Sequence, residues 1–464
     1  MNGQPGVPGA VTVHGRPASF GRFVAEAQAR GRLVVQPRMG FSDPARMRRG
    51  LLATKGACDA VAGTLTIDSY TRVADEPSVV RALAARTPLN GYPITSYSPH
   101  TSGWVLDGVH DAGFPVQVRH GSARPQRIVA ALGRLGLDAT EGGPVSYCLP
   151  YGRTPLVDSV RNWQESCERL AELRATGAEP HLETFGGCML GQLCPPGLLV
   201  AISALEALFF HRAGLRSISL SYAQQTSPEQ DTEAVAALRR LAAELLPDTD
   251  WHIVLYTYMG LYPRTAEGAR SLLEQSAELA VRTGAARLIV KTADEAHRIP
   301  TVAANVAALR TAAAAADRAR RTSPAVPPQL PVMGGTPADN EVYAEARALV
   351  DAVLGLDADL GQGLLKAFER GCLDVPYCLH PDNAGRTRSH IDSAGRLAWT
   401  ETGAMPLVRA AGRGPRLTAA GLYEALSFVQ RRHDGASPSP ERPGPPAPMV
   451  PRRPVRRHFQ EVAP

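Results

Sequence analysis

Between about residues 30 and 320, short strand-like runs alternate with longer segments whose apolar residues recur at helical spacing. The nine strand-like runs are rich in β-branched and other apolar residues and lie near 33–38, 63–69, 93–97, 115–119, 137–141, 179–184, 217–223, 251–257 and 287–292. Strands that alternate with helices over such a length predict a parallel α/β fold. A barrel has eight strand positions, and 93–97 is the run with the weakest pattern, so we expect it to lie outside the sheet.

Short connections and right-handed crossovers favour closure of these parallel strands into a barrel. A doubly wound sheet is the alternative, but the GxGxxG motif that would follow its first strand is not found there. We therefore expect an α/β chain with a (β/α)8 TIM-type barrel and a small C-terminal α+β region.

The composition changes on both sides of the alternating segment. We expect an irregular N-terminal lead over 1–30, the catalytic barrel over 31–320, and an α+β region over 321–432. That region should hold helices within 337–370, a hairpin within 371–400 and a last helix near 416–432. The basic, proline-rich tail over 433–464 has too little apolar surface to form a core and is expected to be disordered.

The overall composition is that of a soluble globular protein, with 44% hydrophobic residues. No apolar run approaches the ~20 residues that span a bilayer, and the N-terminus lacks the charged and apolar regions of a secretory signal. The seven cysteines are scattered without a CxxC pair, which predicts neither a disulfide framework nor a zinc site. These features favour a cytoplasmic protein.

The net charge of +6 raises the question of nucleic-acid binding. Much of the excess lies in the C-terminal run RRPVRRH and in the cluster of Arg46, Arg48 and Arg49. The chain contains no RNP, zinc-finger or helix-turn-helix signature. We therefore expect neither a nucleic acid nor a membrane as partner.

Three arginines close three of the strand-like segments: Arg38 ends LVVQPR, Arg72 ends TLTIDSYTR, and Arg119 follows PVQV. The carboxyl ends of barrel strands meet at one face, where barrel enzymes place their active sites. Three guanidinium groups there predict a cationic pocket for a small molecule with two carboxylates. The alternative for each arginine is an ordinary salt bridge with a neighbouring acid.

Further candidate residues lie at or after the ends of other strand-like runs: Glu141, Tyr147, Tyr151, Glu183, Phe185, Met259, Lys291 and Glu295. Taken singly, each has a structural interpretation, such as a loop cap for Glu141 or an i,i+4 ion pair for Lys291 and Glu295. The glycines that follow Glu141 instead indicate a close approach of the backbone, as at a ligand site.

Several motifs in a fixed order carry a family resemblance: TIDSYTR, VRHG, EGGPVSYCLPY, LCPPGLL and HPDNAGR. From about Arg32 to Trp399 the chain resembles the large catalytic (epsilon) subunits of adenosylcobalamin-dependent glutamate mutases, also called methylaspartate mutases. The resemblance implies an isomerase that interconverts L-glutamate and threo-3-methylaspartate by a radical mechanism. It also implies adenosylcobalamin as the cofactor.

The resemblance assigns roles to individual positions. It implies that Arg38, Arg72 and Arg119 form a claw for the two substrate carboxylates and that Glu141 partners the substrate amine. Tyr147 and Tyr151 are implied to hydrogen-bond the substrate and, with Glu141, to form the catalytic set. The residues implied to contact the cofactor, chiefly its adenosyl group, are Glu183, Phe185, Met259, Lys291, Glu295 and Ile299.

The cobalamin-binding signature DxHxxG is absent from this sequence. In the family, the lower histidine ligand of cobalt belongs to a separate small, Rossmann-like (sigma) subunit that carries this motif. The resemblance therefore implies a heterotetramer assembled through a dimer of large subunits. We expect no metal ligand in this chain and interpret His120, beside Arg119, as structural.

Two other classes of function stay open at this point. The chain could be a cobalamin-independent barrel enzyme, an aldolase or lyase, acting on a small dicarboxylate. It could also be a non-catalytic regulatory paralogue, for which degraded claw residues are expected. The three arginines are all retained here.

Overall fold

A computed structural model describes residues 19–150, 152–189, 193–322, 340–407 and 418–435. Eight parallel strands form one sheet in the order β1-β8-β7-β6-β5-β4-β3-β2, and a parallel bridge between Val35 and Val61 joins its two edges. The strands are β1 Val34–Gln36, β2 Gly63–Thr66, β3 Val116–Arg119, β4 Ala139–Gly142, β5 His181–Thr184, β6 Ser217–Ala223, β7 Asp250–Tyr256 and β8 Arg287–Ile289. The predicted (β/α)8 barrel is confirmed.

Helices surround the barrel and connect its strands. They are α1 Phe20–Ala29, α2 Pro44–Lys55, α3 Ser69–Arg72, α4 Glu76–Ala84, α5 Pro99–Leu106, α6 Gln126–Arg134, α7 Leu156–Glu172, α8 Pro196–Arg212, α9 Pro228–Leu245, α10 Ala266–Thr283 and α11 Val302–Thr322. Several begin where a polar side chain accepts a hydrogen bond from the first turn, as Ser227 does from the Gln230 amide (3.3 Å) and Thr265 from the Gly268 amide (3.0 Å). Single turns of 3-10 helix cover Leu173–Thr176, Gly186–Cys188 and Ala293–Ala296.

The ninth strand-like run, 93–97, is not a strand. Pro93 has no amide hydrogen, and its carbonyl accepts hydrogen bonds from the Ser96 and Tyr97 amides (3.0 and 3.2 Å), so the backbone turns locally. Ile94 is nevertheless buried in the connection between β2 and β3. Burial of an apolar side chain in an irregular segment therefore produced the strand-like pattern.

Residues 20–29 are not irregular as expected, because they form α1. Phe20, Phe23, Val24 and Ala27 are buried at helical spacing and pack against residues at the amino ends of the strands. The Phe20 amide also donates to the Asp138 carboxylate at 3.1 Å. Helix α1 thus closes the end of the barrel opposite the strand ends that carry the arginines, while residues 1–18 lie outside the described part.

The C-terminal region contains α12 Glu341–Leu354, α13 Leu360–Arg370, an antiparallel hairpin of β9 Arg388–Ile391 and β10 Leu397–Glu401, α14 Ala419–Leu426 and α15 Phe428–Asp434. Helix α12 packs on α8 and α9 of the barrel, and α15 packs on α10. The last predicted helix is divided at Ser427. Asp434 is ordered because its carboxylate accepts hydrogen bonds from the Arg264 and Thr265 amides (2.9 and 3.0 Å). The rest of the tail predicted to be disordered, from residue 436 onward, lies outside the described residues.

Polar side chains from several strands meet inside the barrel. Gln36 donates to Gln117 (2.8 Å), and Gln117 donates to Glu183 (3.1 Å). Arg287 is fully enclosed, pairs with Glu183 and donates to Gln36 (2.6 Å). Because these residues lie on β1, β3, β5 and β8, their bonds cross the barrel and brace the layer beneath the strand ends.

None of the helices in the described ranges combines the length and apolarity required to cross a bilayer. All seven cysteines fall in those ranges, and each is a free thiol there.

Candidate active site at the carboxyl ends of the strands

A buried network joins the carboxyl ends of β3, β4 and β7. Arg119 Nε donates to Glu141 Oε2 at 2.6 Å, and Arg119 Nη2 donates to the Tyr256 hydroxyl at 3.1 Å. The Tyr147 hydroxyl, from the loop after β4, donates to Glu141 Oε1. Both side chains of the Arg119–Glu141 pair are enclosed, with 5% and 2% exposure. Three of the predicted site residues, Arg119, Glu141 and Tyr147, therefore meet at the carboxyl ends of the strands, as expected.

One donor of Arg119 is left over in this network. Its Nη1 atom is buried and has no hydrogen-bond partner within the described ranges. Burial disfavours the charged guanidinium, but the adjacent Glu141 carboxylate and the Tyr256 hydroxyl raise the pKa of Arg119 above its ordinary value. The site thus holds a permanently charged arginine with a free N–H edge, which suits an incoming carboxylate.

The loop after β4 depends on two glycines and a distant carboxylate. Gly142 has φ +140°, and a Cβ there would lie 2.4 Å from Trp163; a Cβ on Gly143 would lie 2.0 Å from Glu206 Oε1. Glu206, in the apolar helix α8, accepts hydrogen bonds from the Ser146 amide (2.9 Å) and the Gly186 amide (2.9 Å). Glu206 therefore ties the loop that carries Tyr147 to the loop that follows Phe185.

Burial raises the pKa of Glu206 to about 7, although four donors from residues 145, 146 and 186 favour its charged form. Glu206 is not among the site residues predicted from the sequence. The available signal was a single acid in the otherwise apolar run LLVAISALEALFF.

Arg72 lies beside this network but comes from helix α3, one turn beyond β2. Its Nε donates to the His120 carbonyl at 3.1 Å. Arg72 and Tyr147 both line a cavity of about 280 Å³, together with Gly121, Arg124 and Arg153. Tyr151, the other predicted tyrosine, lies outside the described residues.

Arg38 belongs to a second cavity, of about 310 Å³, which Gly40, Asn90, Glu295 and Ile299 also line. Arg38 Nη1 and Lys291 Nζ lie 3.7 and 3.8 Å from the same atom, Glu295 Oε2. Burial lowers the pKa of Lys291 to about 8, with Glu295 acting in the opposite direction. The Lys291 ammonium also lies 4.4 Å from the Tyr262 ring centre.

The remaining predicted residues fall at different depths. Phe185 is buried between the rings of Tyr147 and Tyr256, with centre distances of 5.0 and 5.6 Å. Met259 is half-buried against the core, whereas Ile299 is 56% exposed. Glu183 is fully enclosed and bonded to Arg287, Gln117 and Tyr256, which places its carboxylate beneath the site. Arg38 and Arg72 line separate cavities, so a common claw remains a prediction.

His120 is buried and neutral. Its Nδ1 accepts a hydrogen bond from the Ser122 amide (3.0 Å), and its ring stacks on Trp163 with 5.7 Å between centres. Burial and the nearby arginines lower the pKa of His120 to about 3. Among the described residues there is no group of three His, Cys, Asp or Glu side chains arranged to hold a metal ion.

Comparison with known proteins gives consistent matches. Residues 16–414 match the family model described as "Methylaspartate mutase E chain (MutE)". The chain is 30% identical over 405 residues to the glutamate mutase epsilon subunit of Escherichia coli O157:H7, covering 84% of this chain and 81% of that protein. It is 30% identical over 409 residues to the glutamate mutase epsilon subunit of Halobacterium salinarum, covering 86% and 83%.

Among solved structures, a truncated 3-deoxy-D-arabino-heptulosonate 7-phosphate synthase from Thermotoga maritima matches with a TM-score of 0.35 and 10% identity, covering 63% of this chain and 87% of that one. The strand order of this chain establishes the barrel, and the sequence matches establish the family. Since the family model spans most of the sequence, the chain belongs to the methylaspartate mutase E chain family.

Proposed function

We propose that this chain is the catalytic (epsilon) subunit of a glutamate mutase, an isomerase that interconverts L-glutamate and threo-3-methylaspartate. Family membership supports the isomerase class. The observation that carries the substrate assignment is the buried Arg119–Glu141 pair, in which Arg119 Nη1 has no partner among the residues that the structure describes. A carboxylate acceptor and a guanidinium donor side by side fit the ammonium and a carboxylate of an amino acid.

The proposed substrate contacts follow from charge. Arg119 binds one carboxylate, and Arg72, in the cavity that Tyr147 also lines, binds the other. Glu141 accepts a hydrogen bond from the ammonium, and Tyr147 orients Glu141 through Oε1. Tyr151 and Arg38 complete the proposed set. Bidentate contacts fix both direction and position, which a rearranging substrate requires while one bond breaks and another forms.

We propose that the second cavity takes part of the cofactor. Glu295 and the exposed side chain of Ile299 line this cavity, and Lys291 lies behind it, 3.8 Å from Glu295. Met259 and Phe185 do not line the cavity, and their contact with the cofactor stays a proposal. When bound, adenosylcobalamin supplies the carbon radical that removes hydrogen from the substrate. The residues of this chain bind and orient the substrate and exclude water from the strand-end face. Glu183 lies beneath the site and supports it through Tyr256, without direct contact with the cofactor.

We further propose that a small sigma subunit carrying DxHxxG completes the catalyst in a cytoplasmic heterotetramer. The absence of that motif from this chain supports the proposal. Within this chain, the proposed division remains a catalytic barrel over 31–320 and an α+β region over 321–432.

The chain alone should be inactive with glutamate and adenosylcobalamin. Adding a DxHxxG-containing partner should produce methylaspartate, measured by chromatography or by NMR of the product. Full activity without the partner would refute the two-subunit assembly. Turnover of a dicarboxylate without cobalamin would favour the aldolase or lyase alternative, and partner binding without any turnover would favour a regulatory paralogue.

The pH dependence of the reaction should reflect the protonation state of Lys291. Because the pKa of Lys291 is lowered to about 8, its ammonium is present below that pH and is lost above it. We expect kcat/KM to fall as the pH rises through this value, since Lys291 loses its attraction to Glu295. Lys291→Arg should move this alkaline limb upward, whereas the control Lys366→Arg, at a surface pair with Asp357, should leave it in place. An identical limb in both variants would contradict the role of Lys291.

A further inference from the structure

The Tyr256 hydroxyl lies at the junction of the substrate-facing pair and the buried ion pair beneath it. It contacts Glu141 Oε2 at 2.8 Å, accepts a hydrogen bond from Arg119 Nη2 at 3.1 Å, and also contacts Glu183 Oε1. Glu183 is held in turn by Arg287, which is fully enclosed. Tyr256 is therefore the direct link between Arg119–Glu141 and Arg287–Glu183.

The Tyr256 hydroxyl has one hydrogen to donate but two carboxylates within reach, those of Glu141 and Glu183. A phenol has one hydrogen to donate and two lone pairs to accept with. One lone pair of the oxygen accepts the hydrogen bond from Arg119 Nη2. The single hydroxyl hydrogen must therefore serve both carboxylates. Glu141 and Glu183 are neighbours in register on β4 and β5, which keeps both acceptors on the same oxygen. In the substrate-free site, one carboxylate therefore lacks a donor from Tyr256.

We propose that Tyr256 is a positioning residue: its hydroxyl accepts from Arg119 and shares one hydrogen between Glu141 and Glu183, which holds the Glu141 carboxylate in place and leaves it able to accept a further hydrogen bond from a cationic donor. This inference rests on the proposed function, in which the substrate ammonium donates to Glu141. When the substrate ammonium binds, it donates a hydrogen bond to Glu141. The Tyr256 hydroxyl can then donate its hydrogen to Glu183 alone. No covalent bond changes in this step; one hydrogen bond changes its acceptor.

The geometry distinguishes the hydroxyl from the ring. The Tyr256 ring packs against Phe185, with 5.6 Å between centres, and the Arg119 guanidinium lies 5.0 Å from its centre. Phenylalanine preserves both contacts, so Tyr256→Phe removes the hydroxyl alone. The charged and titratable groups that face Tyr256 from the surrounding elements are Arg119, Glu141, Glu183 and Cys188. Behind them, Tyr147 donates to Glu141, and Arg287 pairs with Glu183.

Tyr258 provides a matched control two residues along the chain. It is also buried, at 1% exposure, but its hydroxyl has no hydrogen-bond partner within the described ranges. Tyr258→Phe therefore removes a buried hydroxyl, as Tyr256→Phe does, but it breaks no hydrogen bond to a described residue. Tyr258→Phe should therefore retain the kinetics and thermal stability of the wild type.

The test compares both variants with the wild type in the complete assembly, with saturating partner subunit, adenosylcobalamin and glutamate. Tyr256→Phe should lower kcat/KM by about tenfold or more, because hydrogen bonds to charged groups are lost. The pH dependence should also change: a carboxylate that loses a donor is protonated more easily, so the acid limb of kcat/KM should move to higher pH. A residue that only fills space would not shift that limb.

A second substitution covers the case in which Tyr256→Phe fails to fold. Site-specific replacement of Tyr256 by 3-fluorotyrosine keeps the shape and strengthens the donor, so the acid limb should move to lower pH. An unshifted limb in either folded variant, or equal losses in Tyr256→Phe and Tyr258→Phe, would overturn the inference. If the wild-type assembly does not isomerise glutamate, the proposed function itself fails, which is a separate outcome.

Discussion

Arg119→Lys should lower kcat/KM for glutamate by about tenfold to a hundredfold, although it keeps the charge. Arg119 uses Nε for Glu141 and Nη2 for Tyr256, which leaves Nη1 for the substrate. A lysine ammonium is a point charge and cannot serve three partners in these directions. A lost hydrogen bond to a charged group costs about 1.5–3 kcal/mol, and each 1.4 kcal/mol in the transition state is about tenfold in rate.

The measurement is steady-state kinetics with saturating partner and cofactor, together with a thermal melt. Lysine still neutralises Glu141, so the variant should fold. Arg240→Lys is a suitable control because Arg240 pairs with Glu244 on the surface of α9 at 3.0 Å, where geometry matters less. Glutamate kinetics equal to those of the wild type in Arg119→Lys would exclude a direct contact of Arg119 with the substrate carboxylate.

The barrel was predictable because short strand-like runs alternate with longer helical segments along most of the chain. The strand ends were less predictable, and the predicted strands were often too long. Strand β1 ends at Gln36, before Pro37, which has no amide hydrogen for the ladder, and β8 ends at Ile289 rather than at 292. The residues beyond each ladder, Arg38 and Lys291 among them, belong to the loops that form the cavities.

The residues that support the site were missed for a physical reason. Tyr256, Glu206 and Arg287 stand in or beside apolar runs, where a single polar residue carries little meaning by itself. Their partners are far away in sequence: Tyr256 and Glu141 are separated by 115 positions, and Arg287 and Glu183 by 104. Only closure of the barrel brings these groups together, so their roles follow from the fold and not from local spacing.

Glu141→Gln should lower turnover by about a hundredfold. The carboxylate accepts from Arg119 and Tyr256 at Oε2 and from Tyr147 at Oε1. A glutamine would direct its amide hydrogens toward groups that are themselves donors, and it would offer the substrate ammonium no charge. Charge-assisted hydrogen bonds are about twice as strong as neutral ones, so a few kcal/mol should be lost beside the rearranging centre.

Glu141→Gln should also lower the free energy of unfolding, although glutamine and glutamate have nearly the same volume. Glu141 is enclosed and is the ion-pair partner of Arg119, so the neutral side chain leaves a buried guanidinium without its anion, at a cost of about 3–5 kcal/mol. Glu179→Gln is the matched control, because Glu179 pairs with Arg174 at a part-exposed site where loss of the charge should have little effect. A folded Glu141→Gln variant with wild-type turnover and wild-type melting temperature would show that neither the substrate ammonium nor Arg119 depends on this carboxylate.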